Sequence, residues 1–335
     1  MPILSWSLHM LRPSIAVWDY DRTRPLLDGR IKVEGCDPVW LHDMPIETMF
    51  SRALGQSEFD VSELSFSNFM ALTSRGACDY VGLPIFPSRS FRHGAWFVNP
   101  AAGITRPEDL KGRRIGVREY SMTAAVVARG ILADEYGVQA GDVTWVMGDV
   151  DEVERSHIPL PALPPGITVE RAPDGRLLAD MLLAGEIDAL LAYKPPKAFV
   201  KGTPGIARLF DDYEERERDY ATRTGIFPVM HLMGIRRSLA EAEPWLPMSL
   251  MAAFTAAKDS AIADLSIVQA LKVALPWTAG EFARTRAALG DDYWPYGIAR
   301  NRKPLEALAR WHHAQGLSPH PLKVEDLFFR TTLGT

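Results

Sequence analysis

Short apolar runs alternate with longer amphipathic stretches along the chain, and this alternation predicts a mixed α/β fold. The apolar runs predict strands at 4–8, 31–34, 39–41, 80–83, 95–98, 114–117, 144–146 and 189–192. The longer stretches predict helices at 46–53, 123–136, 177–184, 247–263 and 303–315. Gly137 follows the second of these helices, at the position where a left-handed glycine commonly ends a helix. No segment of about 20 to 50 residues repeats, so solenoids and propellers are excluded.

The alternation of predicted strands and helices breaks off and begins again at two points, and this predicts two lobes. An apolar stretch at 92–100 leaves a first unit, and 106–117 opens a second with a helical turn, a glycine turn and a buried strand. Another apolar stretch, at 224–237, leads back. The two crossings predict a discontinuous first lobe, residues 1–97 plus 226–335, with residues 98–225 inserted as the second. The cleft between such lobes is the expected ligand site.

Composition and charge exclude several classes of protein. Of the 335 residues 47% are hydrophobic, enough for one or two globular domains, and 10% are aromatic, which excludes disorder. The 37 basic and 42 acidic side chains leave a net charge of −5, so no nucleic-acid partner is expected. No apolar run approaches the ~20 residues of a membrane helix, so no membrane partner is expected either. The N-terminal segment lacks the basic start of a secretory signal, and Cys36 and Cys78 read as free thiols, which predicts a cytoplasmic location.

A set of segments, in order along nearly the whole chain, resembles a known enzyme family. EDLKGRRIGV at 108–117, the GEIDA turn at 185–189 and the two crossings are similar to type II periplasmic-binding-protein folds. Further matching segments are DYDRTRPLLDG (19–29), FDVSELSFS (59–67), FPSRSFRHG (86–94), REYSMTAAVVARGIL (118–132), TGIFPVMH (224–231), EPWLPMSLMAAFTAAK (243–258), DDYWPYGIARNRKPLEAL (291–308) and QGL (315–317). Together they resemble the 4,5-dihydroxyphthalate decarboxylase family, whose cytoplasmic enzymes are built on that binding-protein scaffold.

The resemblance implies a two-lobed α/β fold, a homo-oligomer and a small aromatic dicarboxylate as substrate. The implied reaction is the non-oxidative decarboxylation of 4,5-dihydroxyphthalate to 3,4-dihydroxybenzoate and CO2, through protonation of the ring carbon that bears the carboxylate. Such a site needs cations for the carboxylates, a base or a metal for the ring hydroxyl, and a proton donor near the ring.

Arg89, Arg92 and His93 form a basic cluster just before the first crossing. Two neighbouring guanidiniums suit an ortho-dicarboxylate, since each can bind one carboxylate through two hydrogen bonds. His93 is a candidate proton donor. A surface ion-pair patch and a hydrogen-bonded histidine at the hinge are the structural alternatives. As substrate ligands, both arginines are expected to lose dianion binding when changed to alanine, with the fold left intact.

The segment REYSMTAA joins a strand to the helix predicted at 123–136, with Ser121 as its predicted N-cap. Backbone N–H groups in the first turn of a helix bind anions, so Ser121 and Thr123 are candidates for holding a substrate carboxylate. Tyr120 is a candidate for orienting a ring hydroxyl. Ordinary helix capping explains the same pattern without a ligand.

Glu63 and Ser65 lie where an apolar strand leads into a predicted helix that residues 63–65 open. Glu63 is a candidate base toward the ring hydroxyl, and Ser65 a candidate carboxylate ligand. His231 ends the last apolar segment before the chain returns to the first lobe and is the first choice as general acid. Arg22 is a candidate third cation at the mouth of the cleft. Local ion pairs and internal hydrogen bonds are the alternatives for these side chains.

The chain carries no cofactor motif. It has no HExxH, no diagnostic Cys/His spacing, no phosphate-binding loop and no dinucleotide fingerprint, so no organic cofactor is expected. A divalent metal stays an open alternative, with Glu63, His93 and His231 as its ligands. Two other functions fit the same cleft: a solute-binding or sensor protein for an aromatic or other organic anion, and a relative that processes a different small molecule.

Overall fold

The computed structural model describes residues 10–153 and 160–335, which form two β-sheets with flanking helices. The strands are β1 (Ser14–Ala16), β2 (Val39–Leu41), β3 (Val61–Ser65), β4 (Tyr80–Arg89), β5 (Trp96–Val98), β6 (Arg114–Val117), β7 (Thr144–Met147), β8 (Thr168–Arg171), β9 (Ala189–Leu191), β10 (Ala207–Arg208) and β11 (Val229–Arg236). The helices are α1 (Arg24–Leu27), α2 (Ile46–Gln56), α3 (Phe66–Thr73), α4 (Thr123–Tyr136), α5 (Leu178–Leu183), α6 (Lys197–Val200), α7 (Tyr213–Thr224), α8 (Arg237–Ala242), α9 (Leu246–Asp264), α10 (Thr278–Leu289) and α11 (Arg302–Ala314). Within the described ranges, no helix combines the length and the apolar character that crossing a membrane requires. The predicted mixed α/β class is confirmed.

The first sheet has the strand order β2-β1-β3-β11-β4. The strands β2, β1 and β3 are parallel, whereas β11 is antiparallel to both of its neighbours. All five residues of β3 are buried, as expected for a strand covered on both faces of its sheet. The register between β11 and β4 shifts around His231, an irregularity that redirects side chains at this end of the sheet.

The second sheet has the strand order β10-β5-β9-β6-β7-β8. Its strands β9, β6, β7 and β8 are parallel, and β5 and β10 run antiparallel at one edge. The chain passes from the first sheet to the second between β4 and β5 and returns before β11. The predicted lobe boundaries, after residues 97 and 225, stay predictions.

Helix α4 follows β6 of the second sheet and packs against α3 and α11, next to the first sheet. Residues 123–132 are all buried, so the helix is enclosed on every side over most of its length. At Gly130 an added Cβ would lie only 2.2 Å from the Trp311 ring, so this crossing requires a residue without a side chain. The helix ends at Gly137 with a φ of +63°, as predicted.

Two strand predictions differ from the structure, and one lies outside the described residues. Residues 31–34 form no strand, because the Cys36 N–H donates to the Val33 carbonyl and the chain turns at Gly35, where φ is +81°. The strand predicted at 80–83 is only the beginning of β4, which continues through Pro84 and Pro87. Prolines lack the N–H group and are tolerated there because β4 is an edge strand. The strand predicted at 4–8 lies outside the described residues.

The helix starts near two candidate site residues also need correction. Glu63 and Ser65 belong to strand β3, where they pair with β11, and α3 begins only at Phe66. Ser121 is not the N-cap of α4, because Met122 occupies that position and Ser121 precedes it. The remaining predicted helices and strands are confirmed, with ends that shift by up to three residues.

We expect two glycine-to-alanine changes in helices to move the free energy of unfolding in opposite directions. Gly130→Ala places a methyl group against Trp311 and is expected to lower it by about 2 kcal/mol. Gly55→Ala, on the exposed end of α2 with no atom within 4 Å of the new Cβ, is expected to raise it by up to about 1 kcal/mol. Urea denaturation measures both, and a Gly130→Ala variant as stable as wild type contradicts the close packing of α4 on α11.

Candidate active site

A cavity of about 140 Å³ lies where strands of both sheets end. It is lined by Ile46, Glu47, Phe50, Ser65, Asn68, Ser88, Arg92, Arg118, Glu119, Met122, Thr123, Ala124, Tyr193, Met230 and His231. Ligand sites of α/β proteins commonly form at such strand ends. The volume suits one aromatic ring, since a cavity of about 150 Å³ accommodates benzene.

His231 and Glu63 form a hydrogen-bonded pair beneath this cavity. His231 lies on β11, and its Nδ1 is 2.7 Å from Oε1 of Glu63 on the neighbouring strand β3. Glu63 has no exposed surface and also accepts hydrogen bonds from the Tyr20 hydroxyl (2.7 Å) and the Trp18 backbone N–H (3.0 Å). Because Nδ1 faces the carboxylate, Nε2 is the ring nitrogen that His231 offers to a ligand.

Glu63 therefore takes a different place from the one predicted. It does not line the cavity, and the three hydrogen bonds that it accepts all come from protein groups. Burial and the charge of Glu63 raise the pKa of the Tyr20 hydroxyl, which keeps this group protonated and able to donate. Glu63 acts on the cavity through His231 rather than on a ligand directly.

Two guanidiniums, the half-buried Arg92 and the buried Arg118, line the cavity from different parts of the fold. Arg92 follows β4 of the first sheet, and Arg118 directly follows β6 of the second. Burial lowers the pKa of Arg92 to about 10, which leaves it charged at neutral pH. The side chain of Arg118 is 3% exposed and lies 3.9 Å from Glu119, another residue of the lining. The two guanidiniums thus meet the carboxylates of Glu47 and Glu119 at the junction of the two sheets.

Thr123 connects the two parts of the cavity wall. Its Oγ1 lies 3.0 Å from the Ser65 hydroxyl and accepts a hydrogen bond from the Ser67 N–H, also at 3.0 Å. The first turn of α4 is thereby fixed against the end of β3. Ser65 and Thr123 both line the cavity, as their sequence positions predicted for ligand-binding residues, and their role toward a ligand stays a prediction.

Arg89 and His93 lie near Arg92 in sequence but do not line the cavity. The Arg89 guanidinium donates to the carbonyls of Phe227 (3.0 Å) and Pro295 (2.7 Å) and to the Asn301 side chain. Its position therefore fits a structural role, holding distant loops together. His93 is buried with Phe210 and Tyr220 at its ring edges, and burial lowers its pKa to about 4, so it is neutral at pH 7.

Three further predicted residues lie outside the lining. The Arg22 side chain is stacked between the rings of Tyr20 and Trp294, at 4.0 and 4.4 Å, and donates to the Pro87 carbonyl. The Tyr120 hydroxyl donates to the Gln315 carbonyl at 3.1 Å, facing α11. Ser121, the next residue along the chain, is buried. These contacts link elements of the core instead of facing a ligand.

The predicted metal ligands are not brought together. His93 Nδ1 lies 3.9 Å from Glu217, while Glu63 and His231 pair with each other. Over residues 10–153 and 160–335, no group of three His, Cys, Asp or Glu side chains is placed to hold a metal ion. Glu63, His93 and His231 therefore do not form the proposed ligand set.

Sequence reasoning missed several polar residues of the lining. Glu47 on α2 accepts a hydrogen bond of 3.1 Å from the hydroxyl of Tyr193, which follows β9, so this contact joins the two sides of the cavity. Arg118, Glu119 and Tyr193 all follow the ends of buried strands. That position was the available signal, because polar residues at the ends of parallel strands commonly face a ligand site. Nothing comparable marks Glu47.

Comparisons with known proteins give two kinds of match. The chain is 40% identical over 323 residues to a 4,5-dihydroxyphthalate decarboxylase from Comamonas testosteroni, covering 96% of this chain and 98% of that protein. It is 39% identical over 213 residues to a 4,5-dihydroxyphthalate decarboxylase from Pseudomonas putida, covering 64% of this chain and 82% of that protein. No family model matches the chain.

The second kind of match is structural. The periplasmic aliphatic sulphonate binding protein SsuA from Escherichia coli aligns with a TM-score of 0.53 at 14% identity, covering 95% of this chain and 92% of that one. At this identity the likeness shows the fold alone, and it confirms the predicted two-lobed binding-protein-like architecture.

Acid is expected to destabilise the protein partly through His93. Its folded-state pKa of about 4 lies below the ordinary 6.5, so the unfolded chain binds the proton first as pH falls. Stability from this residue is complete above pH 6.5 and is lost between pH 6.5 and 4, by up to about 3 kcal/mol. The measurement is the free energy of unfolding in urea across this range.

His93→Gln is expected to flatten this pH dependence, and His320→Gln, which changes an exposed histidine, is the matched control. Some dependence remains in His93→Gln, because burial also lowers the pKa of His312 to about 4. Identical pH profiles for wild type and His93→Gln contradict the neutral, buried state of His93.

Proposed function

The chain belongs to the 4,5-dihydroxyphthalate decarboxylase family, and from this premise we propose that its cavity converts 4,5-dihydroxyphthalate to 3,4-dihydroxybenzoate and CO2. The observation that carries the proposal is the meeting, in one cavity of single-ring size, of two guanidiniums with a histidine held by a buried carboxylate. The guanidiniums of Arg92 and Arg118 provide charge for two adjacent carboxylates, and His231 provides a proton.

The chemistry of the substrate explains why these groups are needed together. Each carboxylate of 4,5-dihydroxyphthalate has a hydroxyl para to it, and loss of that hydroxyl proton moves electron density onto the carbon bearing the carboxylate. This carbon then accepts a proton. The bond to the carboxylate breaks, its electron pair returns to the ring, CO2 leaves, and the aromatic system is restored. One proton is consumed in each turnover, and the hydroxyl proton is returned.

His231 is the proposed proton donor to the ring. In its cationic form it carries protons on both nitrogens, and Glu63 stabilises the Nδ1–H while Nε2–H points to the cavity. After transfer, the neutral ring keeps its Nδ1–H bond to Glu63, so the ring need not rotate. Glu47 and Glu119, the carboxylates of the lining, are the candidates for accepting the hydroxyl proton.

The proposal is tested by incubating purified, chelator-treated protein with 4,5-dihydroxyphthalate and following 3,4-dihydroxybenzoate by chromatography. We expect turnover, and in D2O we expect one deuterium on the carbon that lost CO2. A requirement for added divalent metal assigns the activation of the hydroxyl to a metal. Binding of the substrate without turnover, with or without metals, contradicts the decarboxylase proposal and favours the solute-binding alternative.

In the same assay, His231→Gln is expected to lower kcat by about 10²- to 10⁴-fold, the usual contribution of a general acid. His320→Gln, on the surface, is the control and is expected to match wild type. A His231→Gln variant with wild-type kcat excludes His231 as the proton donor.

Alanine substitutions at Arg92 and Arg89, three positions apart, are expected to have different effects. Sequence alone predicts loss of dianion binding from both, whereas the structure places only Arg92 at the cavity. Arg92→Ala is expected to weaken binding of phthalate, an analogue without the hydroxyls, by at least about tenfold. Arg89→Ala is expected to lower the free energy of unfolding by about 3 kcal/mol, because three hydrogen bonds of a buried guanidinium are lost, one of them to the buried side chain of Asn301.

Calorimetric titration with phthalate measures the binding, and urea denaturation measures the stability of both variants. Phthalate affinity in Arg92→Ala equal to that of wild type removes this guanidinium from the proposed site.

A further inference from the structure

We propose that Tyr20 is a positioning residue, which fixes, through Glu63, the ring tautomer of His231 that turns Nε2 toward the cavity. The inference rests on the proposed function for its effect on catalysis. Tyr20 itself does not line the cavity, and its hydroxyl is connected to His231 through the carboxylate of Glu63.

Tyr20 and His231 share one acceptor atom, Oε1 of Glu63. Oε1 of Glu63 accepts from the Tyr20 hydroxyl and faces Nδ1 of His231, both at 2.7 Å, and Oε2 accepts from the Trp18 N–H at 3.0 Å. A phenol and a backbone amide at these positions only donate to a carboxylate. They fix the plane of the carboxylate, so that the remaining acceptor direction of Oε1 is the one that meets His231.

Tyr20 is itself held rigidly. Its backbone N–H donates to the Thr23 hydroxyl at 2.9 Å, and this hydroxyl donates to the Trp18 carbonyl at 2.8 Å. Thr23 has no exposed surface, and the Arg22 guanidinium lies 4.0 Å from the centre of the Tyr20 ring. The turn after β1 therefore presents both the Trp18 N–H and the Tyr20 hydroxyl to Glu63 as one unit.

The consequence concerns the proton on His231. A carboxylate held in this plane accepts from Nδ1–H, so the neutral ring keeps its proton on Nδ1 and leaves Nε2 as the site of exchange with a ligand. Without the hydroxyl of Tyr20, the carboxylate can rotate about its last bond, and its hold on Nδ1–H weakens. The charged cavity residues Glu47, Arg92, Arg118 and Glu119 then compete in determining the tautomer.

The test is Tyr20→Phe, which removes one oxygen and keeps the ring. We expect kcat for 4,5-dihydroxyphthalate to fall about tenfold, with KM within about twofold of wild type, because the substrate contacts are unchanged. Nitrogen-15 NMR of labelled histidine reports the tautomer directly, and His231→Gln identifies the His231 signals among the eight histidines. Neutral wild-type His231 is expected to carry its proton on Nδ1, and Tyr20→Phe to show a growing share of the Nε2–H form.

The matched control is Tyr80→Phe, which removes another buried hydroxyl of the first sheet, one that donates to the Phe59 carbonyl at 2.6 Å. It is expected to leave both kcat and tautomer unchanged. Equal losses of kcat in the two variants, or an unchanged tautomer in Tyr20→Phe, overturn the proposal. So does a wild-type His231 with its proton on Nε2, whether or not the variants fold.

The NMR measurement keeps this inference separate from the proposed function. A wild-type protein that does not convert 4,5-dihydroxyphthalate contradicts the decarboxylase proposal. The dependence of the His231 tautomer on Tyr20 is measured without turnover, and it supports or overturns the positioning role in either case.

Discussion

The burial of one charge, the Glu63 carboxylate, constrains the centre of this molecule more than any other interaction. A carboxylate without exposed surface is costly unless hydrogen bonds replace the water that it has lost. Here the donors come from two places, the turn after β1 and the strand β11, which are more than 160 residues apart along the chain. The same three contacts that make the charge tolerable therefore fix the turn, pair the strands and orient His231.

A second constraint is the contact between the halves of the cavity. Thr123 fixes the start of α4 against the end of β3, and Tyr193 donates to Glu47 across the opening. Arg92 and Arg118 line the same cavity, on the two sides that these contacts join. Each guanidinium can bind a carboxylate through two hydrogen bonds, so the pair suits the ligand class that the proposed reaction requires.

The sequence is sufficient where the determinants are local. The bounds of α4 follow from a largely apolar pattern and a terminal glycine, and the structure reproduces 123–136 as predicted. The sequence is insufficient where an element depends on contacts with residues that lie far away along the chain. Pro84 and Pro87 argue against a strand in the sequence, so most of β4 is not predicted. Prolines are tolerated there because β4 lies at the edge of its sheet. From sequence alone, Glu63 is predicted to lie at the start of a helix. Only its pairing with β11 shows that it belongs to a strand.

The basic cluster shows the same limit at the level of single side chains. Arg89 and Arg92 cannot be distinguished by residue type or spacing, because both lie at the end of the same strand and either can bind a carboxylate. What separates them is the loop around Pro295 and Asn301, more than 200 residues later, whose acceptors engage Arg89 and leave Arg92 to the cavity. His93 also differs from Arg92, because its ring packs against Phe210 and Tyr220 instead of lining the cavity. Local sequence therefore predicts which functional groups are present, and long-range packing decides which of these side chains lines the cavity.

The difference between a binding protein and a decarboxylase on this fold can be located in the first sheet. Paired guanidiniums and a helix N-terminus are enough to hold an organic dianion, and they make no bond and move no proton. Proton transfer to carbon requires, in addition, a donor whose orientation survives the loss of its proton. A histidine on β11, held through Nδ1 by a carboxylate that the protein has already fixed, meets that requirement without enlarging the cavity. The step from binding to catalysis thus needs one residue of the cavity wall, His231, and the carboxylate of Glu63 behind it, which does not line the cavity.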